Sequence, residues 1–141
     1  MQMWEGKKVS IYNVINKTSK SCGCEKQHLR KGYKEISGTF WCNFKNNAKK
    51  RNINLYIDLE YVWDLFLKQN KKCVLSGEIL TFKKDDNNYY TASLDRINSK
   101  KGYIKENVQW VSKEVNYMKG DLSEEEFISI CRIITKNSKF K

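Results

Sequence analysis

Apolar residues recur at helical spacing in three stretches of the chain. Leu59, Val62, Trp63, Phe66 and Leu67 stand at i, i+3, i+4, i+7 and i+8, which predicts a helix over 59–69 with Asp58 as its N-cap. Phe40, Trp41, Phe44 and Ala48 predict an earlier helix over 38–51, capped by Ser37 or Thr39. Its other side carries Lys45, Lys49, Lys50 and Arg51. The third helix opens with Ser123 and Glu126 spaced as a capping box, and Leu122 and Phe127 form a hydrophobic staple. Phe127, Ile130, Cys131 and Ile134 make its expected buried stripe. Between these helices the pattern turns strand-like. Residues 72–82 read as a short hairpin about Ser76-Gly77, and 89–97 end in a strand. Asn98 to Glu106 is a loop, and Val108 to Val111 is a strand running into a helix at about 112–119. The expected fold class is α+β.

Residues 1–36 show no clear helical period and are turn-prone, so they are expected to form a basic arm, with 37–141 as the folded domain. The 141 residues suffice for one core of this kind. Charge sharpens the division. Residues 1–52 hold 12 Lys/Arg against 3 Asp/Glu, whereas 53–141 hold 15 against 13. A polyanion is the simplest partner for the first segment; a merely solvated, lysine-rich surface is the bland alternative. No apolar run approaches the roughly 20 residues of a membrane span, and Met1 to Lys8 lack the apolar core of an export signal. The expected setting is therefore the cytoplasm, with no membrane partner and no small-molecule cofactor. Five cysteines without an export signal argue against disulfides.

The informative window is Leu94-Asp95-Arg96-Ile97, Lys101-Gly102-Tyr103, Asn107-Val108-Gln109-Trp110-Val111 and Val115-Asn116-Tyr117-Met118-Lys119. In the order strand, loop, strand, helix, it resembles the HNH endonucleases (ββα-metal or His-Me finger), in particular a phage and bacterial subgroup. The resemblance extends over about Ile36 to Ile133. It implies a β-hairpin and helix gripping one divalent metal, packed with further amphipathic helices, in a bacterial or phage-infected cell. Asp95 matches the metal-binding Asp, and Asn107 the central Asn. Asn116 stands where the last metal ligand is expected, and Lys119 matches the trailing Lys. Arg96 stands in place of the general-base His.

The resemblance thus implies a metal-dependent DNA endonuclease with Asp95, Arg96, Asn107 and Asn116 at its centre. Asp95 and Asn116 would hold Mg²⁺ or Mn²⁺, and Lys45, Lys49, Lys50, Arg51, Lys100, Lys101 and Lys119 would contact nucleic acid. The chemistry is coherent, because a divalent cation neutralises a phosphodiester and stabilises the departing 3′-oxygen. Read from the residues alone, Asn107 is a loop brace, and Asp95 and Asn116 are more simply an Asp–Arg surface pair and a helix-surface Asn. Arg96 cannot be a conventional base, since a guanidinium stays protonated. It is left as a phosphate clamp, with Tyr89, Tyr90, Tyr103 or bulk water taking the proton. The alternative is an HNH-fold DNA-binding module that is catalytically weak or inactive. His28 lies far from this window in sequence.

Lys72-Cys73-Val74-Leu75-Ser76-Gly77 resembles the zinc knuckle of related proteins, but Ser76 replaces its second Cys, and Ser112 and Val115 replace the other pair. A single thiol cannot close a tetrahedral site, so structural zinc is not expected. Ser21 to Cys24 resembles the end of a small zinc module whose other half is missing, a truncated remnant. Cutting both strands with one site per chain would favour a homodimer.

Overall fold

A computed structural model describes residues 31–83 and 91–139, all but one within the compact unit Gly32–Lys141. The arm expected over 1–36, with Cys22, Cys24 and His28, lies almost entirely outside the described residues, as do Tyr89 and Tyr90.

Helix α1 spans Gly38–Lys50, with the Ser37 side chain accepting from the Phe40 N–H at 3.1 Å, so Ser37 rather than Thr39 is the cap. It buries Trp41 and Ala48 and leaves Lys45, Lys49, Lys50 and Arg51 exposed. Helix α2 spans Leu59–Lys68, capped by Asp58 Oδ1 on the Tyr61 N–H at 2.8 Å. It buries Val62, Trp63 and Phe66, while Leu67, expected on the same stripe, is exposed.

Strands β1 (Ala92–Arg96) and β2 (Val108–Ser112) pair antiparallel, with Leu94 opposite Trp110 and Asp95 opposite Gln109. A 3-10 turn at Lys105–Asn107 precedes β2, and helix α3 (Lys113–Lys119) follows at once, capped by Ser112 on the Val115 N–H. This is the expected ββα unit, and with the flanking helices the fold is α+β. Helix α4 (Glu124–Asn137) begins with the complete capping box of Ser123 and Glu126.

Trp110 organises the core. It has no exposed surface, and its indole N–H donates to the Val62 carbonyl at 2.7 Å. Phe66 and Phe82 meet it edge-on at centroid distances of 5.7 and 5.1 Å. Edge-on contact places the positive ring edge against the negative ring face, the favoured aromatic geometry. Gln69 clamps the Trp110 backbone with both ends of its amide, which fixes α2 against β2.

Two expectations need correction. The stretch 72–82 contains one isolated bridge, Lys72 to Ile79, around Gly77 in the left-handed region, so it is a turn rather than a hairpin. On α4 only Phe127 is buried; Ile130, Cys131 and Ile134 are exposed, because no described element packs over them. No described helix is long and apolar enough to cross a membrane.

Candidate nucleic-acid and metal site

The end of β1 and the middle of α3 meet at a small polar cavity of about 50 Å³, lined by Arg51, Asp95, Arg96, Tyr103 and Asn116 among others. The ββα geometry produces this meeting. Asp95 and Arg96 close β1, α3 starts directly from β2, and the Asn116 Nδ2 donates to Ser93 Oγ at 2.8 Å, tying helix to strand. With Nδ2 so engaged, Asn116 keeps Oδ1 as an acceptor. Asp95 and Asn116, 21 positions apart in sequence, thus line one cavity.

Asp95 is only 5 % exposed, and both of its oxygens have partners. The Lys119 ammonium lies 3.2 Å from Oδ1 and 3.2 Å from Oδ2, and also donates to the Arg96 carbonyl at 3.0 Å. Gln109 Nε2 donates to Asp95 Oδ2 at 3.1 Å and to Glu124 Oε2 at 3.0 Å, which links the carboxylate to the start of α4. Lys119 has no exposed side-chain surface. Its expected role as a surface phosphate contact is therefore corrected: its ammonium is turned inward and held by Asp95.

Arg96 and Asn107 hold the loop between the strands. Arg96 Nη1 donates to the carbonyls of Ser99 and Lys101, and the guanidinium lies 5.5 Å from the Tyr103 ring centroid. Asn107 Oδ1 accepts from the Asn98 N–H, while Nδ2 donates to the carbonyls of Asn98 and Gly102. Asn107 is a positioning residue, as its loop-brace reading expects. Burial holds the Tyr103 phenol above its usual range, against the lowering influence of Arg96, so even less of it is ionised near neutral pH than for an exposed tyrosine.

Of the other expected contacts, Lys45, Lys49, Lys50, Lys100 and Lys101 are exposed, and Arg51 reaches the cavity from the end of α1. The basic end of α1 and the strand-end carboxylate therefore belong to one locality. Gln109 and Ser93 carry no motif signal in the sequence. The antiparallel register, which sets Gln109 directly opposite Asp95, was the signal for the first.

The oxygens present, the Asp95 carboxylate and Asn116 Oδ1, are hard donors of the kind Mg²⁺ accepts. Among the described residues no group of three or more His, Cys, Asp or Glu gathers around them. In charge, Lys119 offsets Asp95, Arg51 lies 3.8 Å from the exposed Asp121 carboxylate, and Arg96 adds a further cation at the cavity wall.

No family model and no curated protein matches the chain. Among solved structures, the rare-cutting HNH restriction endonuclease PacI, described as perturbing DNA by an extraordinary mechanism, superimposes with a TM-score of 0.52 at 19 % identity, covering 74 % of this chain and 82 % of that one. The two share a fold. That fold is an α+β arrangement with a ββα core.

Proposed function

We propose that this chain is a DNA endonuclease of the HNH type, hydrolysing phosphodiester bonds with one divalent cation, Mg²⁺ or Mn²⁺. The observation that carries this reading is the shared cavity, where a strand-end carboxylate and a helix amide face two guanidinium groups. Asp95 and Asn116 would hold the cation, with water and substrate phosphate completing its shell. When bound, the cation supplies charge neutralisation on the phosphate and stabilisation of the leaving 3′-oxygen.

The chain's own residues do the remaining work. Arg96, 9 % exposed, spends Nη1 on loop carbonyls and a further N–H on the Tyr103 phenol, and what remains would meet a phosphate oxygen; Arg51 approaches from α1. Because Arg96 remains a cation, it withdraws no proton from the attacking water, and that proton passes to solvent. Lys45, Lys49, Lys50, Lys100 and Lys101 grip flanking phosphates, so binding weakens with a log–log salt slope of about −0.9 per phosphate contacted. One site per chain and two strands to cut favour the action of two copies.

A second reading, an HNH-fold module that binds DNA without cutting it, is favoured by the pairing of Asp95 with Lys119 and by the arginine in the base position. Supercoiled plasmid separates the two. Relaxed or linear product with Mg²⁺ or Mn²⁺, absent with EDTA and absent from Asp95→Asn, supports the enzyme. Salt-sensitive binding without product supports the module. Asp95→Asn is preferred to alanine because it leaves the Lys119 ammonium an oxygen to bind.

A further inference from the structure

We propose that Tyr56 is a stacking platform for an unpaired nucleobase, set in a groove whose lysines hold that nucleotide's phosphate. The proposal rests on the reading that the chain binds nucleic acid, and it adds a contact with the base itself. The groove, about 420 Å³, lies between α1 and the segment following it, and is lined by Lys45, Lys49, Asn52, Asn54 and Tyr56 among others.

Tyr56 and Tyr117 are the two strongly exposed aromatic residues among those described, and Tyr56 is the one that lines a groove with lysines. Its neighbour Ile57 is buried, yet Tyr56 is 70 % exposed, and its ring stacks on no other described ring. Its backbone is nevertheless fixed. The Tyr56 N–H donates to the Tyr103 carbonyl at 2.9 Å, the Tyr103 N–H donates to the Asn54 carbonyl at 2.8 Å, and Leu55 bridges to Tyr103. A ring on an ordered backbone loses little freedom on binding, which suits a stacking partner.

The surrounding chemistry selects the ligand. An apolar small molecule would leave two ammonium groups and two amides along the groove without partners of matching polarity. A free anion would not use the ring. A nucleotide uses all three: its base stacks on the ring, its phosphate meets Lys45 or Lys49, and its base edge reaches the Asn52 or Asn54 amide. Duplex DNA keeps its base faces covered, so the ligand is a single strand or an extruded base. Tyr103 connects this groove to the candidate site, since the residue that anchors Tyr56 also walls the Asp95 cavity.

The test uses the full chain and a single-stranded oligonucleotide carrying one 2-aminopurine, titrated by fluorescence at several salt concentrations. Stacking quenches the probe. Wild type and Tyr56→Phe are expected to bind and quench alike. Tyr56→Ala is expected to lose quenching and to weaken single-strand binding by about 5- to 150-fold, the range for truncating a base-stacking aromatic, with an unchanged salt slope. Lys45→Ala or Lys49→Ala, whichever meets the phosphate, should lower the slope by about 0.7. A Tyr56→Ala protein that binds and quenches like wild type overturns the platform and leaves phosphate binding intact. A wild type that binds neither single-stranded nor duplex DNA overturns the nucleic-acid reading and the platform with it.

Discussion

Asp95→Ala should unfold much of the protein's stability as well as abolish its chemistry. A strand-end metal ligand is ordinarily replaceable without harm to the fold, and from sequence that is the expectation here. The structure reverses it. Asp95 is 5 % exposed and holds a Lys119 side chain with no exposure at all. Removing the carboxylate leaves a buried ammonium with only the Arg96 carbonyl as partner. Stranding one member of a buried ion pair costs about 3–5 kcal/mol. A domain of this kind has roughly 5–15 kcal/mol in total, so the loss is a large fraction. Urea denaturation reads it directly, because a slope of about 1–3 kcal/mol/M converts the loss to a midpoint shift on the order of 2 M. The double variant Asp95→Ala/Lys119→Met removes both charges, and an apolar replacement of a buried pair is often neutral or better. It should recover most of the lost midpoint. A single variant within about 0.5 kcal/mol of wild type, the range of ordinary surface changes, or a double variant no more stable than the single, would refute the account of Lys119 as an inward ion-pair partner.

Three further outcomes follow from particular contacts. A Cβ on Gly102 would lie 2.6 Å from the Asn54 carbonyl oxygen, so Gly102→Ala should cost roughly 1–3 kcal/mol in urea denaturation and disturb the loop that Asn107 and Arg96 hold. Hydrogen bonds from Ser123 hold the exposed Glu126 carboxyl below its usual range. The capping-box contribution is therefore present above about pH 4.3 and lost as pH falls below it, so helix content by circular dichroism should decline there, and Glu126→Gln should flatten that decline. Arg96→His should raise plasmid cleavage near neutral pH if the missing base limits the rate, whereas unchanged or lower activity assigns Arg96 to the phosphate.

Much of the architecture was legible in local chemistry. Ser37, Asp58 and the Ser123–Glu126 box are short-range signals whose hydrogen bonds close within three residues, and all three caps form. The hairpin and helix were legible because strand period and motif order agreed. What failed depended on distant partners. Residues 72–80 have the composition of a hairpin, but only one bridge forms, and Val74 and Ile79 remain exposed. The α4 stripe has perfect helical spacing, yet periodicity states which face is apolar and says nothing of what covers it. Lys119 reads as a surface contact because lysine is usually solvated. Its position four residues after the buried Val115, on the same face of α3, was the available hint. The candidate site divides in the same way. Asp95 and Asn116 could be paired by motif, but the cationic balance around them needed the fold that brings Arg51 from α1.

The most direct measurement is a crystal of the Asp95-intact protein with a short DNA duplex and Mn²⁺, read by the anomalous scattering of manganese. The account predicts a peak between the Asp95 carboxylate and Asn116 Oδ1, within ordinary metal–oxygen distance of both, with a phosphate oxygen beside Arg96. An anomalous peak elsewhere on the protein, or DNA bound with Lys119 still closing Asp95 and no metal between the two residues, would contradict it.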